Sequence, residues 1–510
     1  MSAMTLLSRV LGLVREQVRA VYLGTSAASD AFGLASTIPN LFRRLVAEGA
    51  MTAAFIPVLA EYMRRGKEEE TRAFLSRFFT LLTLAVAAFT VLGILVSPWL
   101  IETFFASEFQ HVPGKVRLTI VLTQLMWPYL LFVSLSAMLQ AVLNAHKIFG
   151  PSAFTPVLLN LCIIGFGVGL AQVVPDPSYA LVAGFLVGGV VQILFQIPYL
   201  FRWTPVRFGV DLDMFGPGVL RVLRIMVPGV FAAGIYQINI FVSQLIASRL
   251  PGGAIAALQY SIRLQELVLG LFVVSVAQVI LPTLSEQTAA DDHEGVKDTL
   301  AYSTRLLAFV TLPATLALIL LGPAIVRLLF QFGAFDAEST RRTAFALVFH
   351  AVGLFPIGLS RVQTQVFYAH KDLRTPTLIA AIVMVVNIVL CVGLAVPLQE
   401  GGIALAGSAA SGVSAVLFAV ILRRRLGAGD LRSTLARLAR VALATALMTG
   451  TLVAWEALFP AAAIERRSVL ALWMAASIAL ALVVYLLACR ALRVNELDGV
   501  LTALRRRLRR

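Results

Sequence analysis

The chain has 510 residues, 59% of them hydrophobic and only 14% charged, with a mean hydropathy of +0.88. That balance excludes a soluble globular protein and defines a polytopic membrane protein. The formal net charge of +15 invites a nucleic-acid reading, but its positions favour the membrane surface. Cys162, Cys391 and Cys489 lie far apart in apolar segments, so no disulfide framework is expected. The five histidines show no metal-ligand spacing. The N-terminal stretch is too charged for a secretory signal.

The first two predicted helices, Ser8 to Tyr22 and Asp30 to Tyr62, are joined by a turn near Thr25–Ser29. They carry Arg9, Arg15, Glu16, Arg19, Asp30, Arg43, Arg44 and Glu48. An Arg or Asp at the bilayer centre costs about 2.5–3.5 kcal/mol on insertion scales, so these charges belong at the interface or in a polar cavity. Helical spacing puts Ser8, Gly12, Arg15, Arg19 and Tyr22 on one face of the first helix. Asp30, Gly33, Thr37, Arg44 and Glu48 align on the second, where Pro39 should kink the helix and shift the register. The helical wheel therefore leaves open whether Arg43 or Arg44 points inward. Arg9 and Arg19 lie near helix ends, where snorkelling to headgroups and burial are equally open.

Further apolar runs of about 17–25 residues fall near 78–101, 119–143, 152–174, 179–201, 222–248 and 254–284. Others fall near 304–330, 343–368, 376–397, 402–422, 437–459 and 469–489, giving about fourteen spans. One set of loops holds Arg64, Arg65, Lys67, Arg72, Lys147, Arg202, Arg207, Arg221, Lys371, Arg374 and Arg423–Arg425. The alternate set has few positives, among them Lys115, Arg117, Arg341, Arg342, Arg466 and Arg467. The positive-inside rule then places both termini in the cytoplasm. The tail at 491–510, with Leu497, Val500, Leu501, Leu504 and Leu508 on one face, reads either as an amphipathic surface helix or as a helix extension.

A duplication runs through the chain. Phe55–Glu61 matches Ile280–Glu286 at an offset of 225, and Ala145-His146-Lys147 matches Ala369-His370-Lys371 at 224. Val168–Ala171 matches Val392–Ala395 at the same 224. Six helices per repeat preserve orientation, which relates the halves by an axis along the membrane normal. The expected domains are an N-lobe at 1–210, a C-lobe at 211–428, an extra helix pair at 429–490 and the tail. Two like lobes make a cleft suited to alternating access. Gln259, Arg263, Glu266 and Gly270 share one helix face in the second lobe. There Arg263 and Glu266 form either a structural pair or part of a binding wall.

The stretches SRVLGLVRE at 8–16, SDAFGLASTIPNLFRRLVAEGAMTAAFIPVLAEY at 29–62 and AHKDLRTP at 369–376 resemble the MurJ (MviN) family of lipid II flippases, of the MOP exporter superfamily. The resemblance covers essentially the whole chain. It implies an all-α fold with a MATE-like V shape, two six-helix lobes and two added helices. It also implies translocation of undecaprenyl-pyrophosphate-linked MurNAc-pentapeptide-GlcNAc from the inner to the outer leaflet of the cytoplasmic membrane. By the same resemblance Arg9, Arg15, Asp30, Arg43 and Arg263 line the cavity, with Arg43 favoured over Arg44. Asn40, Glu48 and Glu266 complete the candidate substrate-binding set.

Guanidinium groups suit such a substrate because they bind phosphate oxygens bidentately. Asp30 and Glu48 are expected to hold the arginines in place and to help release substrate. No nucleotide-binding GxxxxGK[ST] loop occurs, and no cofactor is expected. Export of about two negative charges along a 100 mV potential, negative inside, is favoured by about 4–5 kcal/mol. The membrane potential is therefore a candidate driving force. A monovalent cation is a second, with Asn239 and Asn387 as candidate ligands. Membrane lipids are expected partners, and a cell-wall synthesis or division complex is a candidate one. The rival readings are a related exporter of another polyprenyl-linked glycan or of drugs, a polytopic membrane enzyme and a scaffold. For an enzyme, the outer-loop acids Glu102, Glu108, Asp176, Asp336, Glu338 and Glu465 are scattered and form no motif.

Overall fold

The computed structural model describes residues 3–45, 51–105, 109–204, 207, 209–427 and 431–497, a few of them for their backbone alone. Among the described residues every regular element is helical. Two compact units emerge, one of 1–256 with 332–336, the other of 257–331 with 337–510. They are groupings by contact, whereas the lobe boundary at 210 rests on the sequence repeat.

In the first unit, α1 (Ala3–Leu23) turns into α2 (Ala27–Arg43), whose start is capped by the Ser26 side chain accepting from Ser29 N. Helix α2 runs on through Pro39. The departure from α geometry comes later, at a π-type turn beginning at Arg44–Leu45. Helices α3 (Met51–Arg64), α4 (Glu68–Phe104), α5 (Lys115–Ala145), α6 (Phe149–Leu170), α7 (Pro177–Trp203) and α8 (Pro217–Ala247) follow. Helix α5 is the hub, packed on α2, α4 and α7. Its Leu122, Met126 and Tyr129 meet Leu23, Phe32, Ile163, Leu181 and Phe185 in a continuous apolar core. The first residues of α9 (Ala254–Val268) also belong to this unit.

The second unit continues from α9 through a π turn, Leu269–Val273, into α10 (Val274–Ala289), then α11 (His293–Phe330), α12 (Ala337–Val352) and α13 (Leu354–Ala369). Helix α14 (Arg374–Leu426) is two helices broken at Gln399 (φ 48, ψ −131), next to Gly401 and Gly402. Helices α15 (Leu431–Leu458) and α16 (Arg467–Ala491) pack on α11 around Phe309, Leu321, Trp473 and Tyr485. The tail begins by joining that core. Leu497 is buried in it, and Glu496 accepts from Arg305 Nε at 2.9 Å. Its remaining predicted face, Val500 to Leu508, lies outside the described residues.

Eight helices are long and apolar enough to cross a membrane among the described residues, nine if the bent pair α12–α13 is one span. The spans counted in the sequence but absent from that tally are mostly the charged ones, α1, α2 and α9, while α14 enters it once despite its break. The duplication is visible in local geometry. Lys147 (φ 62) and Lys371 (φ 58) both take the left-handed conformation after a helix. In each, the next residue donates back to the carbonyl five residues earlier, Ile148 to Leu143 and Asp372 to Phe367, both at 2.9 Å. Gly66 (φ 70) and Asp291 (φ 53), also 225 residues apart, both take the left-handed conformation, and the two π turns begin at Arg44 and Leu269.

The second of these caps makes a pH-dependent contact. Asp372 accepts from Thr375 N and Oγ1 and from Arg425 at 2.7 Å. Partial burial pulls its carboxyl upward, but the Thr375 and Arg425 bonds outweigh it and hold the pKa at about 2. The folded pKa lies below the unfolded one, so the contribution is complete above about pH 4 and fades as pH falls toward about 2. An Asp372→Asn variant should therefore melt below wild type at neutral pH. The gap in unfolding midpoint should close across that acid window, and a gap independent of pH would contradict the assignment.

Candidate functional site

The polar face expected on α1 forms. Arg15 Nη2 donates to Glu16 Oε1 at 2.7 Å and Nη1 to Asn160 Oδ1 of α6 at 3.2 Å. Arg19 donates to the Ser29 carbonyl at 3.0 Å, lies 3.7 Å from the other Glu16 oxygen and stacks over Phe32. Arg19 is 6% exposed, so it is buried and does not snorkel. Arg9 is half-buried, with its Nη1 sealed from solvent and without a hydrogen-bond partner among the described residues. One carboxylate between two guanidiniums leaves this cluster net positive, the sign an anionic ligand requires.

Asp30 does something different from holding arginines. Its Oδ2 accepts from Lys115 Nζ at 2.9 Å and from Gly253 N at 2.6 Å, and its Oδ1 accepts from Ala256 N at 3.0 Å. Both side chains of the ion pair are 2% exposed. Lys115 also lies 3.8 Å from the Phe109 ring centroid. Asp30 thus clamps α2 to the first turn of α5 and to the start of α9. The carboxylate beside the arginines is Glu16. Glu48, the other acid expected there, lies outside the described residues.

Asn40 and Arg43 come together at the end of α2, where Arg43 Nε donates to Asn40 Oδ1 at 2.9 Å. In the second unit Arg263 Nη1 donates to Glu266 Oε2 at 2.9 Å, with the two side chains 45% and 46% exposed. The predicted face is the open one, since Gln259 and Gly270 are half-buried while Tyr260 and Leu264 are buried. Exposed charges on a membrane helix require water beside them, because lipid would not tolerate the pair. An exposed pair of this kind is worth about 0–1 kcal/mol. Asn239 is half-buried on α8, and Asn387 is buried on α14 with Cys391 Sγ 3.8 Å away. They belong to different units, and no acidic or histidine cluster suited to a metal occurs among the described residues.

Sequence reading missed Glu16 as the arginine holder and Asn160 as the second partner of Arg15.

The chain matches an inward-facing multidrug-resistance MATE transporter of the MOP superfamily with a TM-score of 0.71 over 84% of this chain and 95% of that one, at 15% identity, a likeness of fold alone. It matches a lipid II flippase MurJ in an inward closed conformation with a TM-score of 0.79 over 96% of this chain and 97% of that one, at 27% identity. Residues 19–471 match the family model for lipid II flippase MurJ. Relatives include the lipid II flippase MurJ of Burkholderia cenocepacia, 38% identical over 76% of this chain and 75% of its own length. A probable lipid II flippase MurJ of Treponema pallidum is 36% identical over 83% and 81%. The chain belongs to the MurJ lipid II flippase family, a family of transporters.

Proposed function

We propose that this protein moves lipid II from the inner to the outer leaflet of the cytoplasmic membrane by alternating access. The observation that carries the reading beyond family membership is the contrast among its membrane charges. The pairs Asp30–Lys115 and Arg342–Glu400 are sealed, with at most 11% side-chain exposure. Arg263 is open, its ion pair with Glu266 exposed on both sides. A pyrophosphate can displace Glu266 from Arg263, while the sealed pairs keep the helices in place.

Fourteen spans in two six-helix lobes with two added helices, and both termini in the cytoplasm, are part of the same proposal. The sealed pairs support the orientation, because Lys115 and Arg342 were among the few positives of the outer loops and each has its own carboxylate. Lobes divided at residue 210, membrane-potential drive, a coupling cation near Asn239 or Asn387, and contact with a cell-wall synthesis or division complex remain proposals of this reading.

Its test is lipid II binding to the purified full-length protein. Arg263→Ala should weaken binding about tenfold or more, the loss expected for a charge-assisted bond, with the melting temperature nearly unchanged. Arg263→Lys should recover part of it, since an ammonium keeps the charge and loses the fork. Equal affinity for wild type and Arg263→Ala would make the Arg263–Glu266 pair merely structural.

A further inference from the structure

Within the second unit, a cavity of about 280 Å³ opens between α10 and α13, lined by Val274, Ala277, Leu281, Arg361 and Gln365. Three of the five lining residues are aliphatic and one carries a charge. Arg361 is exposed to this space, and Gln365 sits one turn along, its amide already donating to the Arg361 carbonyl at 3.3 Å. Neither wall supplies a counter-ion. Helix α13 contains no Asp or Glu, and the facing stretch has none between Glu266 and Glu286. Glu266 is engaged by Arg263, and Glu286 lies more than a helical turn beyond Leu281.

A guanidinium in a membrane helix with no carboxylate on either wall calls for an anion from outside the chain. Eight residues separate Arg361 from the end of α13 at Ala369, or about 12 Å of helix rise. The cavity therefore sits about two turns in from the end of a helix that, with α12, is apolar enough to cross a membrane. An anion that enters such a place beside Val274, Ala277 and Leu281 is one with hydrocarbon attached. The repeat adds specificity, since the position matching Arg361 in the first half, at the offset of 224, is Ala137. The feature belongs to one half alone, as a station on a directional path would.

We propose that the α10–α13 cavity holds a phosphoryl group of the transported polyprenyl pyrophosphate, with Arg361 and Gln365 donating to its oxygens and the α10 aliphatics covering the first isoprene carbons. This rests on the lipid II reading and adds a second anion station to that at Arg263. Arg361 takes the phosphate fork-on with its paired N–H groups. The second N–H of the Gln365 amide completes the cradle.

The experiment measures binding of undecaprenyl pyrophosphate to the purified full-length protein, as wild type, Arg361→Gln and Arg361→Lys, with lipid II binding to wild type measured in parallel. The expected result is about tenfold weaker binding in Arg361→Gln, partial recovery in Arg361→Lys and an unchanged melting temperature, because the side chain is exposed. Inorganic pyrophosphate at equal concentration should not displace the probe, and phosphatidylglycerol retention should be the same in all three proteins. Equal affinity of wild type and Arg361→Gln for the probe, with lipid II bound normally, overturns this site and leaves the flippase reading standing. Displacement by inorganic pyrophosphate overturns it in favour of a free-anion site. Phosphatidylglycerol retention that falls with Arg361 overturns it in favour of a general lipid site. Wild type that binds neither lipid II nor the probe overturns both.

Discussion

Asp30→Ala should be among the most damaging single substitutions in the chain. It leaves the Lys115 ammonium, 2% exposed, without its carboxylate and removes the acceptor for Gly253 N and Ala256 N. Removing one partner of a buried ion pair costs about 3–5 kcal/mol, a large part of the stability of any protein. Asp30→Asn should fare little better, because its amide would turn a donor toward groups that are all donors. The double variant Asp30→Ala/Lys115→Met should recover much of the loss, since an apolar replacement for both charges needs no counter-ion. Thermal unfolding of the two singles and the double gives the coupling directly. Simple additivity would show that the clamp does not exist.

Glu16→Ala should follow closely. Glu16 meets Arg15 at 2.7 Å and Arg19 at 3.7 Å, with side-chain exposures of 8%, 17% and 7%. Without it two guanidiniums repel each other in a poorly hydrated place. We expect a loss toward the lower end of about 3–5 kcal/mol, because Arg15 keeps Asn160 and Arg19 keeps the Ser29 carbonyl. Denaturation monitored by helical circular dichroism measures it. Adding Arg15→Gln to Glu16→Ala should restore part of the stability by removing the repulsion. No recovery in the double variant would mean that Glu16 acts through packing alone.

Local features were legible in the sequence because their causes are local. The duplicated Ala-His-Lys triplets showed two matching sites, which the structure reveals as left-handed helix caps, and the spacing of Gln259, Arg263 and Glu266 placed them on one face. Asp30 was legible as buried but not as a clamp. Its partners Gly253 and Ala256 are backbone amides 223 and 226 residues away, and a backbone amide carries no side-chain signature. The same holds for Gly24 (φ 53), where a Cβ would lie 2.2 Å from the Ala334 carbonyl oxygen. Helix α2 accommodates Pro39 and departs from α geometry just beyond, at Arg44–Leu45, as its copy does at Leu269–Val273 without a proline there. Arg361 stands alone in α13, and a solitary charge with no acid in its helix makes no pattern that a sequence reading picks out.

The central claim is tested most directly in living cells depleted of their own lipid II flippase and supplied with this protein. Lipid II on the outer face is read by cleavage with an added enzyme that cannot cross the membrane. Cells carrying the wild-type protein should show cleaved lipid II, and cells carrying an equally abundant Arg263→Ala variant should show little. If the abundant wild-type protein exposes no lipid II, the substrate is another one and the account is contradicted.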